Sequence, residues 1–366
     1  MTLLKQESFL LVAVLATVAA YAFEHAAVAG GQSAGLIASL LIIVAILLAA
    51  LRVAHHAEVL AEKFGEPYGT MILTLSAVLV EVVILAIMTS HAPAPTLMRD
   101  TVYSAVMLDI NGILGLAAIL GGLKHGEQPY NVDSGNTYLV MILTAMGISM
   151  VVPEFIPQGK WQVYSIFTIV VMVLMYGMFL RLQTGKHSYF FSYKYGSRRH
   201  GAAHPEPTAD EEEEHGNVRA SAALLVVGIV LIGALAEVMS KTLEVGLAGT
   251  GVPPITAALI VAVISASPEI LTALRSALAN RMQGVVNIAL GASLSTVILT
   301  VPVIEGLALL RGEPIYMALS PTQTVMMLLT LLAAAINLHD GETNAIEGLT
   351  HFVLFATFLM LAALGM

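Results

Sequence analysis

The stretches MILTLSAVLVEVVILAIMTS (residues 71–90) and ALIVAVISASPEILTALRSA (residues 258–277) each carry a glutamate deep within an apolar run, Glu81 in the first and Glu269 in the second. A charge near the middle of a membrane helix costs roughly 2.5 to 3.5 kcal/mol on insertion scales, so such residues usually face a water-filled or ion-binding interior. Each stretch is followed, after a short polar break, by an apolar one marked by Gly, Asn and Ser. The doubled pattern predicts that two related halves of the chain contribute to one ion-binding site.

The composition requires a lipid environment. Hydrophobic residues make up 57% of the 366 residues, charged residues only 11%, and the mean hydropathy is +0.85. Such a chain cannot hide its apolar surface in a water-soluble core, so we expect a bilayer partner and no nucleic-acid partner. The net charge of -9 is largely local, because six acidic residues lie in one loop: Glu206, Asp210, Glu211, Glu212, Glu213 and Glu214. The chain has no cysteine, which excludes disulfides and Cys-ligated metal sites.

Eleven apolar stretches approach the length of about 20 residues that one bilayer crossing needs. They cover residues 8–23, 34–54, 68–90, 101–122, 136–152, 162–182, 219–239, 252–274, 284–308, 321–338 and 345–365. We therefore predict an all-α polytopic membrane protein with about 11 transmembrane helices. The first stretch ends in Ala20-Tyr21-Ala22, which also fits a signal-peptide cleavage pattern, so its retention is open.

The basic residues predict the orientation. With a cytoplasmic N-terminus, twelve of the 16 Lys and Arg residues fall on the cytoplasmic side: Lys5, Arg52, Lys63, Lys124, Arg181, Lys186, Lys194, Arg198, Arg199, Arg219, Arg275 and Arg281. The other four fall outside: Arg99, Lys160, Lys241 and Arg311. This excess favours a cytoplasmic N-terminus and an external C-terminus. With short loops and no targeting extension, it predicts a bacterial cytoplasmic (inner) membrane.

We expect four regions along the chain. Residues 1–33 form an N-terminal helix and loop, 34–182 a first repeat, 183–218 a cytoplasmic linker with basic and acidic runs, and 219–366 a second repeat. Each repeat holds five predicted helices, and an odd number makes the two halves enter the membrane in opposite senses. This predicts two inverted five-helix repeats with a substrate site near the midplane where they meet. The acidic run 210–214 is interpreted as part of a solvated linker, with regulatory cation binding as the alternative.

Helical spacing predicts what surrounds each carboxylate. Thr70, Thr74 and Glu81 share one helix face, and Ser265, Glu269 and Thr272 share another. Pro268 lacks an N–H, so the carbonyl of Ile264 needs another partner. That partner is either a bound cation or the hydroxyl of Ser265 or Ser267. Calcium takes about six to eight oxygen ligands, and two carboxylates with hydroxyls and carbonyls would supply such a cage.

Several short motifs resemble a known family. The first half contains His56-Ala57-Glu58-Val59-Leu60, Gly65-Glu66-Pro67-Tyr68-Gly69-Thr70, Leu73-Thr74-Leu75-Ser76 up to Glu81, Arg99-Asp100-Thr101 and Asn111-Gly112-Ile113-Leu114-Gly115. The second half contains Ser267-Pro268-Glu269, Ala273-Leu274, Asn280-Arg281, Gln283, Asn287, Leu290-Gly291, Thr300-Val301-Pro302, Thr343-Asn344, Gly348 and His351. In combination they resemble the two α-repeats and the last helix of the ChaA-type calcium/proton antiporters, of the cation/calcium exchanger superfamily.

The resemblance implies a ten-helix exchanger core with one extra helix, in which Glu81 and Glu269 are the cation and proton ligands. The chain departs from the wider superfamily because Gly-Asn-Ala does not precede either glutamate, which leaves ion selectivity open. Other polar residues are expected as accessory ligands: Thr74, Ser265, Ser267, Asp109, Asn111, Asn287 and Thr296. A proton path or gate is expected from three more: His56, Glu58 and His351. For His56 and Glu58 the alternative is an interfacial amphipathic stretch, and for His351 a packing histidine.

The predicted mechanism is direct competition between protons and a cation for two coupled carboxylates. Low dielectric and mutual repulsion disfavour two charges in the empty site, so protons occupy it until a divalent cation neutralises both glutamates. Calcium is therefore the expected ion, with sodium or potassium as the alternative, and no cofactor is expected. A cation channel is a more remote alternative. An intramembrane hydrolase is disfavoured because no His-Glu-x-x-His motif is present. Oligomeric state is not predicted.

Overall fold

The first half of the protein is almost entirely helical. We describe a computed structural model over residues 7–65, 68–91, 95–184 and 218–366. Its first elements are α1 (Ser8–Ala29), α2 (Gly31–Phe64), α3 (Tyr68–His91), α4 (Leu97–Met107), the π-helical segment π1 (Leu108–Ile113), α5 (Leu114–His125), β1 (Gln128–Pro129), α6 (Val132–Met146), π2 (Gly147–Val151), two 3₁₀ turns (Val152–Phe155 and Gln158–Lys160) and α7 (Trp161–Thr184). α4, π1 and α5 form one continuous span.

The second half follows a similar order. It consists of α8 (Val218–Leu247), α9 (Ile255–Ser265), α10 (Ser267–Leu278), α11 (Met282–Ser295), π3 (Thr296–Thr300), α12 (Val301–Arg311), α13 (Pro321–Asn337), β2 (Glu342–Thr343) and α14 (Ala345–Ala363). The third helix of each half is interrupted by a π segment, π1 in the first and π3 in the second. The strands β1 and β2 form one short antiparallel pair, in which Gln128 lies opposite Thr343.

The helix ends follow local chemistry. Gly65, Gly126 and Gly312 follow α2, α5 and α12 with positive φ values of 64°, 80° and 71°, a region that glycine enters at little cost. The Asn344 side chain accepts hydrogen bonds from the backbone N–H groups of Ile346 and Glu347 at the start of α14. Such caps satisfy N–H groups that have no partner within their own helix.

The helices confirm an all-α polytopic membrane protein. Within the described ranges, nine spans are long and apolar enough to cross a bilayer, and the bent pair α9–α10 makes a tenth. α13 is apolar but only 17 residues long. The predicted count of eleven is therefore not confirmed, although each predicted stretch contains a helix.

Several predicted bounds were wrong. α1 continues to Ala29 rather than ending at residue 23, so Ala20-Tyr21-Ala22 lies inside a helix. α2 runs ten residues beyond residue 54, through the polar turn that contains His56 and Glu58. α7 ends at Thr184 and α8 begins at Val218. Most of the predicted linker, with the acidic run 210–214, lies outside the described residues.

The two halves exchange helix contacts reciprocally. α7, the last helix of the first half, packs against α12 and π3 of the second half. α14, the last helix of the second half, packs against α5 and π1 of the first half. Likewise α6 contacts α11, and α13 contacts α4 and π1. This reciprocity is the arrangement expected of two structural repeats related by a pseudo-two-fold axis.

α2 and α8, the first helices of the two halves, cross at very short distance and run antiparallel. A Cβ atom on Gly35, near the start of α2, would lie 2.8 Å from the carbonyl oxygen of Thr242, near the end of α8. At the other end, a Cβ atom on Gly228 would lie 2.5 Å from a methyl group of Val53. Ser39 also donates a hydrogen bond of 3.0 Å to Thr242. Small residues let membrane helices approach this closely.

Polar contacts fasten α1 to this pair of helices. Just before the start of α1, Glu7 forms an ion pair with Arg52 of α2. Near its end, Lys241 of α8 lies 2.9 Å from Glu24, and Tyr21 donates a hydrogen bond of 2.9 Å to Glu237. α1 is therefore packed on the core through both of its ends.

Candidate functional site

A cavity of about 730 Å³ lies where helices of the two halves meet. It is lined by α2, α3, α4, π1, α6 and α7 from the first half and by α9, α10, α11 and π3 from the second. Its polar lining residues are Glu58, Thr74, Ser76, Glu81, Asp109, Gln183, Ser265, Glu269, Thr272, Asn287, Ser295 and Thr296. Both repeat glutamates therefore line one space.

Glu81 is held by the opposite half of the protein. It lies midway along α3 and is 2% exposed. Its Oε2 accepts hydrogen bonds from the hydroxyls of Thr296 and Thr300, at 3.2 and 3.1 Å. Its Oε1 is buried and has no hydrogen-bond partner within the described part of the chain. Thr74 lines the same cavity as predicted, whereas the side chain of Thr70 lies outside the described part.

Glu269 lies in the first turn of a broken helix. α9 and α10 meet at Ala266 with a bend of 56°, and Glu269 is the third residue of α10. The partial positive charge of a helix N-terminus favours a carboxylate at this position. Ser265 and Thr272 line the cavity beside Glu269, as the helical spacing predicted. One carboxylate oxygen of Glu269, Oε2, has no hydrogen-bond partner among the described residues.

Pro268 leaves the Ile264 carbonyl without its usual helical donor, and the structure shows which group takes its place. The hydroxyl of Ser267 donates to this carbonyl at 2.8 Å. Of the two alternatives, the structure shows the hydroxyl, because the neighbouring Ser267 side chain supplies the missing donor. Ser267 is also occupied in this way and is not among the cavity-lining residues of the described chain.

Asp109 adds a third carboxylate. It lies in π1, is 2% exposed, and accepts a hydrogen bond of 3.2 Å at Oδ2 from Ser293 of α11. It lines the same cavity as Glu81 and Glu269. Asn287 and Thr296, also predicted as accessory ligands, line the cavity as well.

Asn111 and His351 form a separate buried network. The Asn111 side chain donates a hydrogen bond of 2.7 Å to Thr330 of α13. Its Oδ1 lies 3.0 Å from Nδ1 of His351, in α14. Neither residue is among those that line the cavity. The network joins α13 and α14 to π1, which favours a packing role for His351 over a direct path to the cavity.

The cavity opens toward one end of the bundle. Glu58, near the end of α2, is exposed and lines the cavity, as do Gln183 near the end of α7 and the exposed Thr272. His56 instead lies beside Glu7, with Nε2 of the histidine 3.3 Å from the Glu7 carboxylate. Of the predicted gate residues near the end of α2, Glu58 therefore lies at the mouth and His56 contacts the N-terminal segment.

A group of polar contacts lies at the other end of the bundle. Arg99 forms an ion pair of 2.8 Å with Asp100 at the start of α4 and donates to the carbonyl of Ala318 at 3.1 Å. Gln323 of α13 donates to Asp100 at 2.9 Å. These contacts join α4 to α13 on the side away from Glu58.

The carboxylates are gathered in one cavity but do not converge on one point. Within the described ranges, no group of three or more His, Cys, Asp or Glu side chains is close enough together to hold a metal ion. A cation in the cavity would therefore be shared among two carboxylates and neutral oxygens, or would draw the helices closer.

Thr300 is a site residue that sequence reasoning missed. It lies four residues after Thr296, so the two threonines share one side of their helical segment. The spacing of the two threonines can be seen in the sequence. It does not indicate their contact with Glu81, because Thr300 and Glu81 lie 219 positions apart in the chain.

Comparison with known proteins identifies the type of membrane protein. A family model described as "Sodium/calcium exchanger protein" matches residues 34–185 and 220–364. A sodium-potassium/proton antiporter of Escherichia coli, ChaA, is 32% identical over 298 residues, which are 80% of this chain and 79% of the relative. A putative ionic transporter of Sinorhizobium fredii, y4hA, is 32% identical over 270 residues, 73% and 71% of the two chains.

More distant proteins are similar in sequence or in structure. A calcium/proton antiporter of Aphanothece halophytica is 22% identical over 288 residues, 76% of each chain. The crystal structure of the calcium/proton antiporter YfkE superposes with a TM-score of 0.75 and 16% identity, covering 98% of this chain and 99% of that one. The fold of this protein is thus that of YfkE.

Proposed function

The chain belongs to the sodium/calcium exchanger family, and from this premise we propose that it is a secondary transporter that exchanges calcium for protons. The observation that carries the proposal is the cavity that Glu81 and Glu269 line together, one from each half of the chain. The sequence relative of Aphanothece halophytica and the structural neighbour YfkE are calcium/proton antiporters by name. The chain thus moves ions across a membrane rather than catalysing a covalent reaction.

The proposed mechanism is competition between protons and the cation for the carboxylates of the cavity. Glu81 and Glu269 each keep one buried oxygen without a hydrogen-bond partner in the described chain, and a proton or a cation would occupy these oxygens in turn. Two protons leave as one divalent cation binds, because only compensated charges are tolerated in a low-dielectric interior. Movement of the halves against each other would then expose the loaded site to the opposite side.

Sodium or potassium exchange for protons is the second candidate. The ChaA relative of E. coli at 32% identity is named a sodium-potassium/proton antiporter. The cavity carboxylates also do not form a cluster of three in the described chain, which is compatible with an ion of lower charge and fewer ligands. In this alternative one glutamate stays protonated while the other binds the monovalent cation.

We further propose a bacterial inner-membrane location with a cytoplasmic N-terminus. Basic residues in the last turns of α2, α5 and α7, namely Lys63, Lys124 and Arg181, support this orientation. The mouth of the cavity, at Glu58 and Gln183, would then face the cytoplasm, and the Arg99–Asp100 contacts would lie on the external side. The described conformation would accept a cation from the cytoplasm.

The decisive experiment is cation-induced collapse of a proton gradient in everted membrane vesicles. Calcium, sodium and potassium are compared for the wild type, Glu81→Gln and Glu269→Gln. Glutamine keeps the shape of the side chain but can neither release a proton nor compensate a cation. We expect calcium to dissipate the gradient in the wild type and to have no effect in either variant.

The outcomes separate the candidates. A response to sodium or potassium but not to calcium would replace calcium exchange with the second candidate. A robust calcium response in either glutamine variant would contradict the paired-glutamate mechanism. Absence of any cation response in the wild type would reject antiport altogether.

A further inference from the structure

Both hydroxyls that hold Glu81 come from π3. Thr296 and Thr300 donate to the same carboxylate oxygen, Oε2, at 3.2 and 3.1 Å. The other oxygen, Oε1, is buried and lacks a hydrogen-bond partner among the described residues. The carboxylate is thus fixed through one oxygen, and the second remains for a ligand.

These two threonines differ from the buried threonines Thr168 and Thr101. The hydroxyl of Thr168 donates at 3.1 Å to the carbonyl of Tyr164, four residues earlier in its own helix, and Thr101 does the same with Leu97. A threonine hydroxyl inside a helix commonly donates in this way to a carbonyl of the preceding turn. Thr296 and Thr300 instead donate across the interface between the two halves, and π segments of this kind are frequent at functional sites.

Thr296 and Thr300 differ in their access to the cavity. Thr296 is among the lining residues, so its hydroxyl is within reach of a cation. Thr300 is completely buried and is not among the lining residues of the described chain. An effect of Thr300 on cation binding must therefore pass through Glu81.

We propose that Thr300, together with Thr296, is a positioning residue that anchors Oε2 of Glu81 and thereby presents Oε1 to the transported cation. The inference rests on the proposed function and deepens it, because it names the residues that hold the cation ligand Glu81 in position. Hydroxyl donors bind a charged oxygen more strongly than a neutral one. The pair therefore stabilises Glu81 most in the state that binds the cation.

The test uses the full-length protein and three substitutions. Thr300→Val removes the hydroxyl at nearly constant shape, and Thr300→Ser keeps it. Thr168→Val is the matched control, because Thr168 is equally buried but bonds within its own helix. Two quantities are measured with calcium, sodium and potassium: the cation concentration that half-saturates thermal stabilisation of the purified protein, and the concentration that half-saturates proton movement in everted vesicles.

We expect Thr300→Val to raise both half-saturating concentrations by roughly three- to tenfold, the loss expected for one hydrogen bond to a ligand carboxylate. The maximal rate of proton movement in Thr300→Val should change much less. Thr300→Ser keeps the hydroxyl and should keep the wild-type half-saturating concentrations. Thr168→Val should resemble the wild type in both quantities. Unchanged half-saturation in Thr300→Val, or no recovery in Thr300→Ser, would overturn the positioning role while leaving the proposed function intact. A wild type without cation-dependent stabilisation or proton movement would reject both proposals.

Discussion

Asp109 adds a third ionisable carboxyl group to the cavity beside the two repeat glutamates. It is as buried as Glu81, and its Oδ2 accepts a hydrogen bond from the hydroxyl of Ser293. If Asp109 is charged when the cation is bound, it favours a divalent ion over a monovalent ion, because Coulomb energy scales with the charge of the ion. This residue is therefore a candidate determinant of selectivity.

We predict that Asp109→Asn weakens calcium binding more than sodium binding. Removal of one charge costs a divalent ion about twice the Coulomb energy that it costs a monovalent ion, so we expect calcium to lose roughly tenfold or more affinity beyond the loss for sodium. The measurement is the ratio of half-saturating calcium and sodium concentrations in everted vesicles. Asp340→Asn, in an exposed loop, serves as the control. An unchanged ratio in Asp109→Asn would mean that Asp109 carries no charge while the cation is bound.

The sequence best indicated the cavity-lining residues that are charged side chains within apolar stretches. Glu81, Glu269 and Asp109 were visible because a carboxylate deep in an apolar run has few structural uses. Asn111 was expected near them, but it contacts His351 and Thr330 instead. Asp109 and Asn111 lie two residues apart in π1, so their side chains point to different neighbours. Spacing along a helix predicts which residues share a face, but not which helix covers that face.

At the scale of helices, the break between α9 and α10 brings the first turn of α10 to the cavity. Pro268 indicated the break, since proline cannot donate to the preceding turn. The sequence could not decide which group would replace the missing donor, and the structure assigns that role to Ser267. The π segments were not predicted either, because their pattern of hydrophobic residues does not differ from that of an α-helix over five or six residues.

The crossing of α2 and α8 depends on glycine. A Cβ atom on Gly246 would lie 2.8 Å from the backbone nitrogen of Leu36, so neither side chain movement nor rotamer change relieves the overlap. We predict that Gly246→Leu separates the helices and destabilises the protein by about 1 to 3 kcal/mol or more, the usual cost of overpacking. The measurement is the thermal unfolding temperature of the purified protein.

Gly177→Leu provides the control for this substitution. Gly177 lies in α7, is exposed, and has open space where its Cβ would be. The same change there should leave the unfolding temperature close to that of the wild type. Equal behaviour of the two variants would contradict the importance of the α2–α8 crossing.

At the scale of the whole molecule, the orientation can be tested with single cysteines, because the natural chain has none. Glu127 follows α5 and Glu313 follows α12, and both are exposed. We predict that a membrane-impermeant maleimide labels Glu313→Cys in intact cells and labels Glu127→Cys only in everted vesicles. The reverse pattern would invert the proposed topology and place the mouth of the cavity outside.

The reciprocal contacts of the two halves have a consequence for biosynthesis. Glu81 enters the membrane early, yet its partners Thr296 and Thr300 follow 215 and 219 residues later. At about 5–20 residues per second, the ribosome needs roughly 10 to 45 seconds to synthesise them. During this interval α3 must hold its carboxylate without the hydroxyls that receive it in the finished protein. The newly synthesised first half therefore lacks the hydrogen-bond donors of Glu81 until the second half is made. A factor that shields the Glu81 carboxyl group during membrane insertion would act within this interval.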